Sequence, residues 1–108
     1  MIYELRIYHA TPGKLPQLLR RFETITLGFW NKYGIRQVGF WTTLIGESNN
    51  DLNYILEWEN LAEREQKWSA FQNDADWIKA RGETEKDGSL TTHITNMILT
   101  PTSFSKLK

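Results

Sequence analysis

The sequence predicts a single α+β domain over residues 1–108, with the ferredoxin-like order β-α-β-β-α-β and a four-stranded antiparallel sheet carrying two helices on one face. Three observations lead to this fold. Four stretches alternate with the two-residue period of strands, two longer stretches show helical spacing, and together they form two βαβ halves. A chain of 108 residues, 40% of them hydrophobic, has the size of one domain with one core.

The first half of the chain is expected to hold a strand, a helix and a second strand. Residues 2–10 alternate and form the first strand, and residues 36–46 alternate again and form the second. Between them, leucines and phenylalanines at helical spacing predict a helix over 14–33. Gly34 suits the left-handed position that follows a helix, while Gly28 and the β-branched residues at 24–26 weaken its middle.

The second half is expected to hold a strand over 52–59, a helix beginning at 61, a polar loop over 81–89 and a strand over 90–100. Trp68 and Phe71 lie on the apolar stripe of this helix and are expected in the core. Trp77 does not fit that stripe, so either it is exposed or the helix breaks near residues 73–74. Because Asp74 is a favoured N-cap residue, we expect the helix to break there and a second helix to start.

Composition narrows the classes of partner. Thirteen basic residues balance thirteen acidic ones, so the chain has no electrostatic reason to bind nucleic acid or an anionic membrane. There is no cysteine, which excludes disulfides and thiolate chemistry and fits a cytoplasmic location. No 18-residue apolar run predicts a membrane span, and Glu4 and Arg6 argue against a signal peptide.

The sheet face that the helices leave bare is expected to mix charge with large rings. We place on it the residues Glu4, Arg6, Tyr8, Trp41, Thr43, Ile45, Ile55, Glu57 and Glu59. Such a mixture is unusual for a solvated face and for a plain core, so it indicates an interface or a lined pocket. Both hold if two sheets close face to face into a dimeric barrel. The cavity candidates are Arg6, Tyr8, Trp41, Glu57 and His93.

Arg6 is expected in the middle of the first strand, with the third strand as a parallel neighbour. One interpretation is a structural ion pair with Glu57 or Glu4, because an unpaired buried guanidinium is too costly. The other is a bidentate anchor for a ligand carboxylate, with Trp41 and Tyr8 as apolar walls.

No metal site or cofactor is predicted. The only histidines are His9 and His93, which antiparallel pairing of the first and last strands brings together. Two ligands are too few for a closed zinc site, although a single histidine suffices for haem. No glycine-rich serine elbow or phosphate loop occurs. Acid–base chemistry is left to His93, Glu57 or Tyr8.

Four segments in order resemble the NIPSNAP family: "YELRIYHATPGKL", "GFWTTLIGE", "LAEREQKWSAFQNDADW" and "ILTPTSFS". The resemblance covers nearly the whole chain. Members of this family are similar to dimeric α+β barrel proteins, which include cofactor-independent monooxygenases and haem-degrading enzymes. The resemblance implies a homodimer whose sheets enclose a cavity. Tyr33 stands where the family pattern often has a histidine.

Three functions fit these observations. The first is a homodimeric barrel that binds a small apolar or aromatic molecule through an anchoring polar group. The second is a metal-free enzyme acting on such a compound as a monooxygenase, isomerase or lyase. The third is a structural dimer with a packed interior.

Overall fold

The computed structural model describes residues 1–108 throughout. The strands are β1 (Ile2–Ala10), β2 (Arg36–Thr42), β3 (Asp51–Trp58) and β4 (Thr91–Leu99). The helices are α1 (Leu15–Arg21), a π-helical turn (Phe22–Thr26), α2 (Leu27–Tyr33), α3 (Leu61–Gln72) and α4 (Ala75–Thr84). The predicted ferredoxin-like fold is confirmed. β2 is shorter than expected and ends at Thr42 rather than near residue 46.

The four strands form one sheet in the order β2-β3-β1-β4, and every pair is antiparallel. The prediction that the first and third strands run parallel is therefore wrong. The helical connection after β1 places β2 parallel to β1, with room for one strand between them. The β2–β3 hairpin then turns β3 into that gap, antiparallel to both of its neighbours.

The first helical segment runs without a break from residue 15 to residue 33, but its middle is a π turn. The weak centre expected from residues 24–26 coincides with this turn. At the end of α2, Gly34 takes the left-handed conformation with φ of 69°. The Ile35 amide donates to the Trp30 carbonyl at 2.9 Å, which completes a Schellman motif.

The second helical segment breaks at Asp74, as the sequence predicts. The Asp74 side chain accepts from the Trp77 amide at 2.9 Å and caps α4. It also accepts from the Tyr33 hydroxyl and from Lys32, so it ties the end of α2 to the start of α4. These hydrogen bonds, that from Tyr33 foremost, hold the pKa of Asp74 well below its ordinary value.

The core lies between the sheet and the helices. It contains β3 residues Leu52, Tyr54, Leu56 and Trp58 and helical residues Leu18, Phe22, Trp30, Phe71 and Trp77. Phe71 is buried as expected, whereas Trp68 is half-buried at the edge of this core. No helix is long or apolar enough to cross a membrane.

The structure reverses the predicted faces of β1. Glu4, Arg6 and Tyr8 are buried beneath the helices, and the Tyr8 ring lies 5.2 Å from that of Phe22. Their burial is tolerable because each charged group finds partners there, as described below. The prediction that these residues face away from the helices is wrong.

The face without helices, called the open face below, is apolar at its centre. The row Gly39–Ile55–Leu5–Met97 crosses all four strands, and the row Trp41–Asn53–Ile7–Thr95 lies beside it. Trp41 and Met97 are about half exposed, and the Trp41 ring lies over Gly39.

Candidate ligand-binding cavity

A cavity of about 220 Å³ lies between the sheet and the helices. Its lining residues come from β1, β4 and all the helical segments: Arg6, Tyr8, Arg21, Phe22, Thr26, Trp30, Phe71, Gln72, Trp77, Arg81, Thr91 and Ile94. The sheet supplies its floor and the helices its walls.

The lining residues divide by exposure. Gln72, Arg81 and Ile94 are exposed, so the cavity opens to solvent between the helices and β4. The inner end is formed by residues that are almost completely buried, among them Arg21 and Trp30. The cavity thus runs from an exposed rim to buried side chains.

Aromatic rings form most of the inner wall. Phe22 packs edge to face against both Tyr8 and Trp30, with ring centroids 5.2 and 5.6 Å apart. Phe71 continues this group, with ring centroids 6.1 Å from Trp30 and 4.7 Å from Trp77. These rings pack against one another and give the cavity an apolar wall.

Next to Arg6, the buried Glu4 carboxylate accepts hydrogen bonds from four side chains. Its Oε1 accepts from Arg64 Nε at 2.8 Å and Trp58 Nε1 at 3.1 Å. Its Oε2 accepts from Arg6 at 2.9 Å, Arg64 at 3.0 Å and Asn96 at 2.9 Å. Burial alone would raise the pKa of Glu4, but these donors outweigh it and lower the pKa to about 2.

Arg6 is fully engaged by the protein. Its Nε donates to the Tyr54 hydroxyl at 2.7 Å and its Nη1 to Glu4 at 2.9 Å, while its Nη2 lies 3.5 Å from the Tyr8 hydroxyl. The guanidinium also lies 4.5 Å from the centre of the Trp68 ring. Burial opposes the charge of Arg6, but Tyr54, Tyr8 and Glu4 raise its pKa above the ordinary value.

The inner end of the cavity is different, because three buried polar atoms there have no protein partner. They are Arg21 Nε, Thr26 Oγ1 and Trp30 Nε1, and all three residues line the cavity. We call Arg21, Thr26 and Trp30 the donor triad. Their side chains are nearly inaccessible, with residue exposures of 4%, 2% and 0%. Buried polar groups in proteins are normally paired, so three unpartnered atoms in residues that line one cavity are unusual.

The π turn explains why these three side chains line the same cavity. On a regular α-helix, residues five apart point about 140° away from each other. In the π turn the hydrogen bonds join residues five apart, as from the Leu27 amide to the Phe22 carbonyl. Arg21 and Thr26 are five apart and so come to share one side of the helix, and Trp30 follows four residues later. Such turns are frequent at functional sites.

The five cavity candidates chosen from the sequence do not lie together. Arg6 and Tyr8 line the cavity. Trp41, Glu57 and His93 belong to the opposite side of the sheet: Glu57 pairs with Tyr3, and His93 with His9, across the open face. Arg6 pairs with Glu4, and Glu57 accepts instead from Arg36 at 3.1 Å. Whether any of the five binds a ligand stays a prediction.

The two histidines meet as expected, with rings stacked 4.0 Å apart on the open face. His9 also lies 3.1 Å from Asp51 and 2.9 Å from Thr95. No group of three or more His, Asp or Glu side chains is arranged to hold a metal ion.

Sequence reasoning did not find the donor triad or Arg81. One signal was available: Arg21 follows Leu18 by three residues and adjoins Phe22, so an arginine stands within the apolar stripe of a helix. The β-branched run at 24–26 marked the same place as unfavourable for a regular helix. The combination points to a distorted helix with a charge turned inward.

The antiparallel four-stranded sheet with its helices packed on one face defines this protein as an α+β domain of the ferredoxin-like class. More particularly, the chain belongs to the NIPSNAP family, whose model matches residues 3–106. No curated protein sequence matches it.

Several solved structures are similar to this chain. An uncharacterised NIPSNAP domain protein from Burkholderia xenovorans is 24% identical with a TM-score of 0.84, and the match covers 97% of this chain and 98% of that one. A NIPSNAP family protein of unknown function from Agrobacterium tumefaciens is 25% identical with a TM-score of 0.86, covering 100% and 94%.

A more distant neighbour is a protein from Nitrosomonas europaea proposed to be an antibiotic biosynthesis monooxygenase. It is 9% identical with a TM-score of 0.63, and the match covers 94% of this chain and 98% of that one. At this identity the likeness shows the fold alone.

Proposed function

We propose that this protein is a homodimeric binding protein for a small apolar or aromatic molecule that carries one polar group. The observation that supports this most is the cavity of about 220 Å³, in which aromatic walls surround three buried polar atoms without a protein partner. Apolar walls with a few converging polar groups are typical of small-molecule sites. A cavity of about 150 Å³ is known to hold benzene, so this one has room for a single substituted ring.

Native mass spectrometry of the purified protein tests the binding role, since a retained ligand reveals its mass. The site is then tested by filling its mouth. Ile94→Trp places a large ring at the opening, whereas Ile98→Trp is the matched control on the same strand and face, because Ile98 is similarly exposed but does not line the cavity. We expect loss of the retained compound only in Ile94→Trp. Equal retention in both variants would place the ligand elsewhere.

The homodimer is supported by the open face. Leu5, Ile7 and Ile55 form an apolar centre, which the exposed Trp41 and Met97 extend. No helix covers this surface, and a second copy of the same face would remove it from water. The occupant we propose is that second copy, sheet against sheet.

Sedimentation equilibrium at micromolar concentration should give about twice the chain mass of 12.7 kDa. Met97→Asp should shift the protein toward monomer, because it buries a carboxylate in the apolar contact. Ile78→Asp makes the same kind of apolar-to-acidic change at an exposed position of α4 and should leave the dimer intact. A wild-type monomer, or equal effects of the two variants, would contradict this part of the proposal.

A further inference from the structure

We infer that the polar group of the ligand is an anion, a carboxylate, which is bound by the donor triad at the inner end of the cavity. The inference rests on the proposed binding function and specifies its ligand. It concerns Arg21, Thr26 and Trp30 rather than Arg6.

Hydrogen bonding limits what can occupy this place. The Nε–H of Arg21 and the Nε1–H of Trp30 can only donate, and the Thr26 hydroxyl can donate or accept. All three are buried without a protein partner. A group that satisfies them must therefore be an acceptor with at least two lone pairs directed at the triad. A carboxylate and a neutral amide carbonyl both meet this condition, so hydrogen bonding alone does not decide between them.

The charged side chains around the cavity favour a carboxylate over a neutral amide. Three arginines and no carboxylate line the cavity: Arg6, Arg21 and Arg81. Behind the lining, Glu4 serves both Arg6 and Arg64, at 2.9 and 2.8 Å.

The second carboxylate is also shared. Glu85 lies 3.6 Å from Arg21 and 3.6 Å from Arg81. Four guanidinium groups thus share two carboxylates, and the surroundings of the cavity keep an excess of positive charge. An anionic ligand would compensate it in a site where water cannot do so fully.

The two buried arginines of the cavity differ in their hydrogen bonds, and this difference assigns the excess positive charge to Arg21. All three nitrogens of Arg6 have a partner. The Nη1 of Arg21 lies 3.4 Å from the Thr84 hydroxyl and forms a 3.6 Å ion pair with Glu85, but its Nε has no partner. Burial lowers the pKa of Arg21 in spite of Glu85, whereas the pKa of Arg6 is raised. Arg21 shares its carboxylate with Arg81, and its Nε lacks the partner that a bound carboxylate would supply.

Benzoate is the probe that fits this inference, and benzamide is its neutral counterpart of nearly the same shape. Calorimetric titration of the wild-type protein should give tighter binding of benzoate than of benzamide by about tenfold or more, the range expected for charged against neutral hydrogen bonds. The benzoate affinity should also fall with added salt, though less steeply than at an exposed site.

Two variants locate the anion. Arg21→Met should reduce the preference for benzoate to about threefold or less, because one cation and one donor are lost. Thr26→Val removes only a hydroxyl and preserves shape, so it tests the triad even if the loss of Arg21 disturbs folding. Arg20→Met is the control, since Arg20 is the exposed neighbour of Arg21 on the same helix and does not line the cavity.

The outcomes separate the two proposals. If neither benzoate nor benzamide binds and no compound is retained from purification, the binding function itself is wrong. If both probes bind equally well, the cavity is real but the anion inference is overturned. If benzoate is preferred and neither Arg21→Met nor Thr26→Val changes the preference relative to Arg20→Met, the anion is held elsewhere and the inference is also overturned.

Discussion

Two buried regions of this protein differ in how their polar and charged groups are paired. In the Glu4 cluster, formed by Glu4, Arg6, Arg64, Trp58 and Asn96, every polar atom that faces the carboxylate has a partner. In the donor triad, three polar atoms have none from the protein. The first region is complete within the fold, and we propose that a bound ligand completes the second. Burial of polar groups therefore separates structural from functional sites only when their hydrogen bonds are counted.

The difference has an energetic meaning. A buried charge pair with all of its hydrogen bonds is close to neutral for stability, but losing one partner is costly. A buried donor that lacks a partner is already costly in the folded protein, and removing it relieves that cost. Substitutions in the Glu4 cluster should thus cost much more stability than substitutions in the donor triad, and the following predictions use this contrast in order of decreasing effect.

The largest effect is expected for Glu4→Leu. It leaves Arg6 and Arg64 without their shared carboxylate in the interior, which should reduce the free energy of unfolding by about 3–5 kcal/mol. Urea denaturation followed by tryptophan fluorescence measures this. A loss of less than about 1 kcal/mol would mean that the cluster is solvated and that the two regions do not differ as described.

Acid should reproduce much of this loss in the wild-type protein. The pKa of Glu4 falls from 4.5 to about 2 on folding, so the folded state favours the ionised carboxylate. The stabilisation is present above about pH 4.5 and is lost as the pH falls toward 2, and it amounts to about 3 kcal/mol for a shift of this size. Unfolding free energies measured between pH 6 and pH 2 should decline more steeply in the wild type than in Glu4→Gln. If the free energies of unfolding of the two proteins fell in parallel, Glu4 would not be the cause of the loss of stability in acid.

Arg6→Met should have a smaller effect, about 2 kcal/mol, because Glu4 keeps Arg64, Asn96 and Trp58 while the Tyr54 hydroxyl loses its donor. If Arg6 paired with Glu57, one of the two pairings expected from the sequence, Glu57→Gln would rescue this loss. We expect no rescue, since Glu57 contacts Arg36 on the other side of the sheet. Restoration of stability in the double variant would contradict the observed faces of β1.

The smallest effect on stability is expected for Arg21→Met in the absence of ligand, within about 1 kcal/mol of the wild type. The change removes an incompletely paired cation, and Glu85 retains Arg81. Thermal unfolding with Arg20→Met as the exposed control checks this. A loss as large as that for Arg6→Met would show that Arg21 is structural and would weaken the contrast.

Much of the fold followed from local patterns. Alternation located all four strands, and Asp74 and Gly34 placed the helix ends, because capping depends on residues next to one another in the chain. The face of β1 could not be assigned in this way. Both of its sides mix polar and apolar residues, and the side that is buried was decided by Arg64 and Asn96, which are 60 and 92 residues away from Glu4.

The candidate site was predicted less well for the same reason. Arg6 and Tyr8 were found because they stand out within a strand pattern. The donor triad depends on a π turn, which adds one residue to a turn of the helix. A regular period of 3.6 residues per turn would place Arg21 on a different side of the helix from Thr26 and Trp30. Helix-destabilising residues showed where the irregularity lies but not which side chains it brings together.

The most direct test of the contrast between the two regions uses two indole groups as reporters. Trp58 Nε1 already donates to Glu4 at 3.1 Å, whereas Trp30 Nε1 has no partner. In ¹⁵N-correlated spectra, with the signals assigned through Trp30→Phe and Trp58→Phe, benzoate should move the Trp30 indole proton downfield in a saturable manner. The Trp58 signal should stay in place, and benzamide should have a much weaker effect on Trp30. A Trp30 signal that does not move at saturating benzoate, or moves equally with benzamide, would contradict the assignment of the donor triad as an anion site.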